Sequence, residues 1–162
     1  MPGSTRLVDR IAVRIDVALA AHETALAEIS PDLAPLVQQA RELLTGGKRF
    51  RALFCYWGWQ SVAAITADGE LAELDGPDAS QALPAVVSVA AALELFHAAA
   101  LVHDDIIDSS DLRRGRPSAH RAFETLHRRQ GWDGDAAAFG TSTAILLGDL
   151  LLGWSDELFE EG

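Results

Sequence analysis

The sequence predicts an all-α domain, and three observations predict it. Apolar residues recur at three- and four-residue spacing along most of the chain, no stretch alternates apolar and polar for long enough to make a strand, and the breaks carry glycine, proline and aspartate turn chemistry. At 162 residues and 49% hydrophobic content the chain can bury one compact core, so a single domain is expected.

Leu7, Ile11, Ile15, Ala18 and Leu19 mark a first helix, and Ser30-Pro31 reads as an N-cap with proline at the first position of a second. Gly46-Gly47 ends it. Phe50, Leu53, Phe54 and Trp57 restart the period in a third helix that fades near Ile65, and Thr66 to Gln81 has the composition of a surface loop. Pro84 fits the first turn of a long helix reaching about Asp108, since its missing N–H costs nothing there. Arg113-Arg114-Gly115-Arg116-Pro117 forces an irregular segment. A short helix over His120 to Arg129, the interruption at Gly131 to Asp135, and a strongly apolar helix over Ala136 to Phe159 complete the chain. Trp57, Trp59, Trp132 and Trp154 are expected as core or interface anchors, and His22, His120 and His127 as surface or paired residues.

The formal net charge of −11 argues against a sequence-independent grip on nucleic acid, which needs a basic surface. Cys55 stands alone, without disulfide partner or metal-ligand spacing, which fits a reducing cytoplasm and a buried apolar role. The most apolar run, Val86 to Val102, is interrupted by Glu94 and His97, so a buried helix is expected there and not a membrane span.

Chemistry concentrates at Asp104-Asp105-Ile106-Ile107-Asp108. Asp104 and Asp108 are four residues apart, so they share a helix face about 6 Å apart along the axis, and the same spacing run backwards adds Leu101, His97 and Leu93. A solvated acidic helix end is the plain alternative. Against it, acids that end an apolar wall at a helix C-terminus oppose the macrodipole and call for a cation. Arg113, Arg114, Arg116, His120 and Arg121 follow at once, and guanidinium forks suit phosphate oxygens. Carboxylates and arginines together suggest a diphosphate bridged by Mg²⁺. A second basic cluster, Gly46-Gly47-Lys48-Arg49-Phe50-Arg51, places cations where a turn enters a helix, a natural anion site that lacks the spacing of a nucleotide P-loop.

These two motifs, in this order, resemble the trans-isoprenyl (polyprenyl) diphosphate synthase family, and the resemblance runs over nearly the whole chain. It implies the first half of an isoprenoid synthase helical bundle, with 1–162 the N-terminal part of a single domain. The family's second aspartate-rich motif and lysine-bearing segment do not occur here, so the C-terminal half is expected to be absent and the apolar face of the last helix uncovered. Ala52 stands where the family often has proline.

By resemblance, Asp104 and Asp108 hold Mg²⁺ on the allylic diphosphate, with Asp105 assisting, and Arg113 grips the same diphosphate. Gly47, Lys48, Arg51, His97 and Arg114 bind isopentenyl diphosphate. Ala100 and Ala99, at the fourth and fifth positions before the motif, are too small to stop the product at farnesyl length, and Phe96 lies about 12 Å down the helix as a lower floor. The implied activity is head-to-tail condensation to a longer trans-prenyl diphosphate, geranylgeranyl diphosphate or longer, by a homodimer. The alternatives are a non-catalytic subunit of a heteromeric synthase and a class I terpene cyclase, which needs no Gly-Gly-Lys-Arg cluster.

Overall fold

The computed structural model describes residues 2–63 and 77–162. Six α-helices occur among them: α1 (Pro2–Ile29), α2 (Ala34–Leu44), α3 (Phe50–Ala63), α4 (Pro77–Ile107), α5 (Ala119–Gln130) and α6 (Ala136–Glu160). The Ser30 hydroxyl accepts from the Asp32 amide at 3.2 Å, but it caps a 3₁₀ turn over Pro31–Leu33, and α2 itself begins at Ala34 after Leu33, which gives no side-chain cap. The irregular segment is a minimal hairpin of β1 (Leu112–Arg113) and β2 (Arg116–Pro117). Arg114 and Gly115 turn it, at φ 53° and 77°, and two consecutive positive φ values are what a two-residue hairpin turn demands.

The long helix starts earlier than its sequence suggests. Residues 77–81 are helical, so Pro84 lies inside α4 instead of opening it; the rest of the expected loop, 66–76, lies outside the described residues.

The core forms where α4 is packed by α1, α3 and α6, while α5 closes on α6. Ile11, Ile15 and Leu19 of α1, Val37 and Ala40 of α2, Leu95, Ala99 and Val102 of α4, and Leu147, Leu151 and Leu158 of α6 are all buried there. Leu83–Ile107 and Ala136–Glu160 are long and apolar enough to cross a membrane; the bundle buries 56% of the first and 28% of the second. On α6 the buried row has an uncovered counterpart in Ile145, Leu146, Leu152 and Phe159.

Small residues let α6 approach its neighbours closely. A β-carbon on Gly148 would lie 2.3 Å from the ring of His103, and one on Gly140 would lie 2.3 Å from the His120 carbonyl and 2.9 Å from the Glu124 amide. Backbone cannot swing aside as a side chain can, so Gly140→Ala is expected to destabilise the protein by about 1–3 kcal/mol, and more than Gly148→Ala, in urea denaturation. The Ser155 hydroxyl adds a polar tie, donating to the Ala92 carbonyl at 2.9 Å.

Several aromatic and apolar residues are placed differently from their sequence expectation. Phe50, Phe54 and Trp57, part of the stripe that marks α3, are at least half exposed, and it is Ala52 that faces the core. Trp154 is a true core anchor, stacked on His22 at 4.4 Å, whereas Trp132 is 43% exposed. His127 is buried between Trp132 and Phe139, with its Nε2 3.3 Å from the Asp133 carbonyl oxygen. Cys55 is half-buried, and that burial pushes its thiol pKa up.

Candidate active site

Three segments converge: the C-terminal turns of α4, the hairpin that follows, and the Gly46-Gly47 turn that enters α3. Gly46 and Gly47 take φ 77° and 86°, values that glycine alone adopts freely. The Arg114 guanidinium lies over Gly47, 3.5 Å from where a β-carbon would stand. The turn thus brings two segments distant in sequence into contact.

Gly47, Lys48, Arg51, His97 and Arg114, the residues expected to bind isopentenyl diphosphate, line one cavity of about 270 Å³. The first amides of α3 sit beside it, and a helix N-terminus attracts anions. His97 is the one member whose ordinary pKa lies close to neutrality. Its pKa is held below the usual histidine range by burial first and then by Arg51, with Arg114 and Arg113 adding and Glu94 opposing. An adjoining cavity of about 330 Å³ is lined by Gly47, Arg113, Arg114 and Arg116, so Gly47 and Arg114 belong to both.

The acidic motif divides. The Asp104 side chain is 58% exposed and Asp108 is exposed too, while that of Asp105 is only 2% exposed. The fork of Arg113 explains the difference: its Nε donates to one Asp105 oxygen at 2.6 Å and its Nη2 to the other at 2.7 Å, with Asp104 3.6 Å away. That hydrogen bond is also the main reason the Arg113 pKa is raised. Both oxygens of Asp105 are therefore engaged by arginine, and the carboxylates open to a cation are those of Asp104 and Asp108. The Asp108 amide donates to the Asp104 carbonyl at 2.8 Å, which keeps the two in helical register.

Among the described residues no three His, Cys, Asp or Glu side chains form a ready-made metal cage. Two exposed carboxylates on one helix face do suit Mg²⁺, which keeps much of its water and shares its shell with substrate phosphate.

The arginines that follow the motif also divide. Arg121 is tied to Asp111 and Glu124, each at 2.6 Å, and His120 lies 3.2 Å from the Ser118 hydroxyl, so these two serve the local structure. The chain-length residues part company as well. Ala100 and Phe96 are exposed, Phe96 by 53%, and lie on the α4 stripe that ends at Asp104; Ala99 is fully buried in the core.

Sequence reasoning missed the pair Arg49 and Glu94. Arg49 turns inward from its exposed neighbours Lys48 and Arg51, and its Nη1 lies 3.2 Å from Glu94 Oε2. A signal existed, since a lone glutamate in an apolar helix needs a buried partner.

The polyprenyl synthetase family model matches residues 34–161. The large subunit 1 of a heterodimeric geranylgeranyl pyrophosphate synthase of Arabidopsis thaliana, a chloroplastic protein, is 36% identical over 117 residues, which are 71% of this chain and 23% of that protein. The chloroplastic geranylgeranyl pyrophosphate synthase of Catharanthus roseus is 35% identical over 117 residues, again 71% of this chain, and 24% of its own length. A crystal structure of geranylgeranyl pyrophosphate synthase from Corynebacterium glutamicum, complexed with isoprenyl diphosphate and magnesium, superposes with a TM-score of 0.81 at 36% identity. The match covers 96% of this chain and 41% of that one. The chain thus spans about a quarter of the length of these curated relatives.

Proposed function

This chain belongs to the polyprenyl synthetase family, and from that premise we propose that the intact protein joins isopentenyl diphosphate head to tail to an allylic prenyl diphosphate. One observation carries the reading. A cationic cavity lined by Lys48, Arg51, His97 and Arg114 adjoins a second lined by Arg113, whose guanidinium lies 3.6 Å from the open carboxylate of Asp104, and Arg114 borders both cavities. Two diphosphates need two such subsites side by side. A class I terpene cyclase would have no use for the first.

In this reading Lys48, Arg51, His97 and Arg114 hold the isopentenyl diphosphate and keep its double bond near the allylic carbon. Asp104 and Asp108 would hold Mg²⁺, which supplies Lewis-acid neutralisation of the allylic diphosphate. The allylic C–O bond breaks and the diphosphate keeps the electron pair. Arg113 spreads that charge from the donors that Asp105 leaves free. The isopentenyl double bond then forms the new C–C bond, and loss of a proton restores an alkene. Ala100 leaves room beneath Asp104 and Phe96 sets a lower floor, which favours geranylgeranyl diphosphate. The same reading takes the protein as a homodimer in a reducing compartment. Incorporation of labelled isopentenyl diphosphate with farnesyl diphosphate and Mg²⁺ tests the reaction, and its absence in the full-length protein would overturn it.

His97 gives a pH prediction. In the empty cavity its pKa is lowered, so it is neutral at pH 7. A bound diphosphate adds negative charge beside it and raises that pKa, so binding takes up a proton in the interval between the two values. Affinity through this group rises as pH falls through the bound value, and the gain ends below the free one. Calorimetry of isopentenyl diphosphate binding in buffers of differing ionisation enthalpy should show proton uptake near pH 7 that His97→Gln reduces. Equal uptake in both proteins would assign it to the ligand alone.

A further inference from the structure

Arg49 combines three features that a surface cation would not show together. Its backbone has φ 51°, in the left-handed region that non-glycine residues seldom enter. Its side chain is only 8% exposed, and that of Glu94, its partner at 3.2 Å, only 11%. Its Nη2 donates to the carbonyl of Leu44, the last residue of α2, where the helix leaves carbonyls without amide partners. One guanidinium therefore links the end of α2, the turn and the middle of α4. A flexible Gly-Gly turn is fixed at a single strained residue.

Arg49 and Glu94 both line the cavity of Lys48, Arg51 and His97, with the Arg49 guanidinium taken up by Glu94 and the Leu44 carbonyl, and the second Glu94 oxygen, Oε1, is buried with no hydrogen-bond partner among the described residues. A carboxylate there repels a diphosphate, so direct contact with substrate is not what it offers. A buried ion pair is also a poor source of net stability, because desolvation offsets the attraction.

We propose that the Arg49–Glu94 pair is a positioning device for the isopentenyl diphosphate subsite, holding the buried Arg49 guanidinium on Glu94 and the Leu44 carbonyl so that the exposed Lys48 and Arg51 on either side are presented to the anion. The inference rests on the proposed function for the identity of the ligand. It needs only an anion in the cavity for its geometry. Lys48 and Arg51 are the binding groups; Arg49 and Glu94 act through them. The effect is therefore confined to one substrate.

The test compares the full-length protein with Glu94→Gln, Arg49→Lys and the double variant Arg49→Met/Glu94→Met. The double variant replaces the charges with apolar side chains and keeps the fold if a single change does not. Calorimetry with inorganic pyrophosphate in EDTA, with Lys48→Ala marking the site, should show affinity weakened about tenfold or more in each variant. In the condensation assay KM for isopentenyl diphosphate should rise by a similar factor, while KM for the allylic substrate stays within about twofold. A folded variant with unchanged pyrophosphate affinity, or with both KM values raised alike, overturns the proposal. If the wild-type protein binds pyrophosphate but consumes no isopentenyl diphosphate, the reaction is misassigned, and the pyrophosphate comparison alone decides the role of the pair.

Discussion

In the full-length protein, Asp104→Ala is expected to lower the condensation rate by about three orders of magnitude with almost no loss of stability. The two halves of that expectation come from different observations. The Asp104 side chain is 58% exposed and lies 3.6 Å from Arg113, beyond hydrogen-bond range, so its removal should change unfolding free energy by less than about 0.5 kcal/mol. It also removes one of several neighbouring negative charges at the end of α4, where the macrodipole disfavours them. Function carries the whole cost. In the proposed function Asp104 is a Mg²⁺ ligand, and its loss would forfeit several kcal/mol of leaving-group stabilisation, each 1.36 kcal/mol being a factor of ten in rate. Titration with Mn²⁺ by electron paramagnetic resonance gives a second readout, in which the variant should bind more weakly. A variant within tenfold of the wild-type rate would show that ionisation does not depend on this carboxylate.

The division of labour inside Asp104-Asp105-Ile106-Ile107-Asp108 was only half legible in the sequence. Helical spacing placed Asp104 and Asp108 on one face, and both are exposed. Spacing also puts Asp105 on a different face, but it could not say what that face meets. The answer lies in the hairpin, whose turn at Arg114 and Gly115 sends Arg113 back onto the helix it has just left. The helices themselves were legible because Leu7, Ile11, Ile15 and Leu19 repeat with the helical period and are all buried. The start of α4 was not, because proline is favoured in a first turn and costly inside a helix, so Pro84 pointed to a later start than the one observed. The cluster Lys48-Arg49-Phe50-Arg51 reads as one patch of charge, and only the backbone turn at Arg49 separates the inward cation from the outward ones. Which basic residues face an anion and which serve the fold depends on contacts over long sequence distances, such as Arg49 with Glu94.

Asp105→Ala should behave as the mirror image of Asp104→Ala, damaging the fold before the chemistry. Asp105 is almost wholly buried, and both its oxygens are held by Arg113. Removing one partner of a buried pair strands the other, and the usual cost is about 3–5 kcal/mol. Arg113 keeps some access to water, so the lower end of that range applies, and about 3 kcal/mol corresponds to a fall in Tm of roughly 6–12 °C for a chain of this size. Asp105→Asn keeps the shape but brings an amide N–H against one of the guanidinium donors, and it should recover little. The catalytic effect is indirect. With its anchor gone the Arg113 fork is free to swing, so KM for the allylic substrate should rise while KM for isopentenyl diphosphate holds. A double-mutant cycle with Arg113→Met separates this from a metal role. If Asp105 serves Arg113, the two changes together should cost less than the sum of the singles, with a coupling of about 2–3 kcal/mol in stability. If Asp105 were a metal ligand in its own right, its loss would weaken Mn²⁺ binding as much as the loss of Asp104, with or without Arg113 beside it.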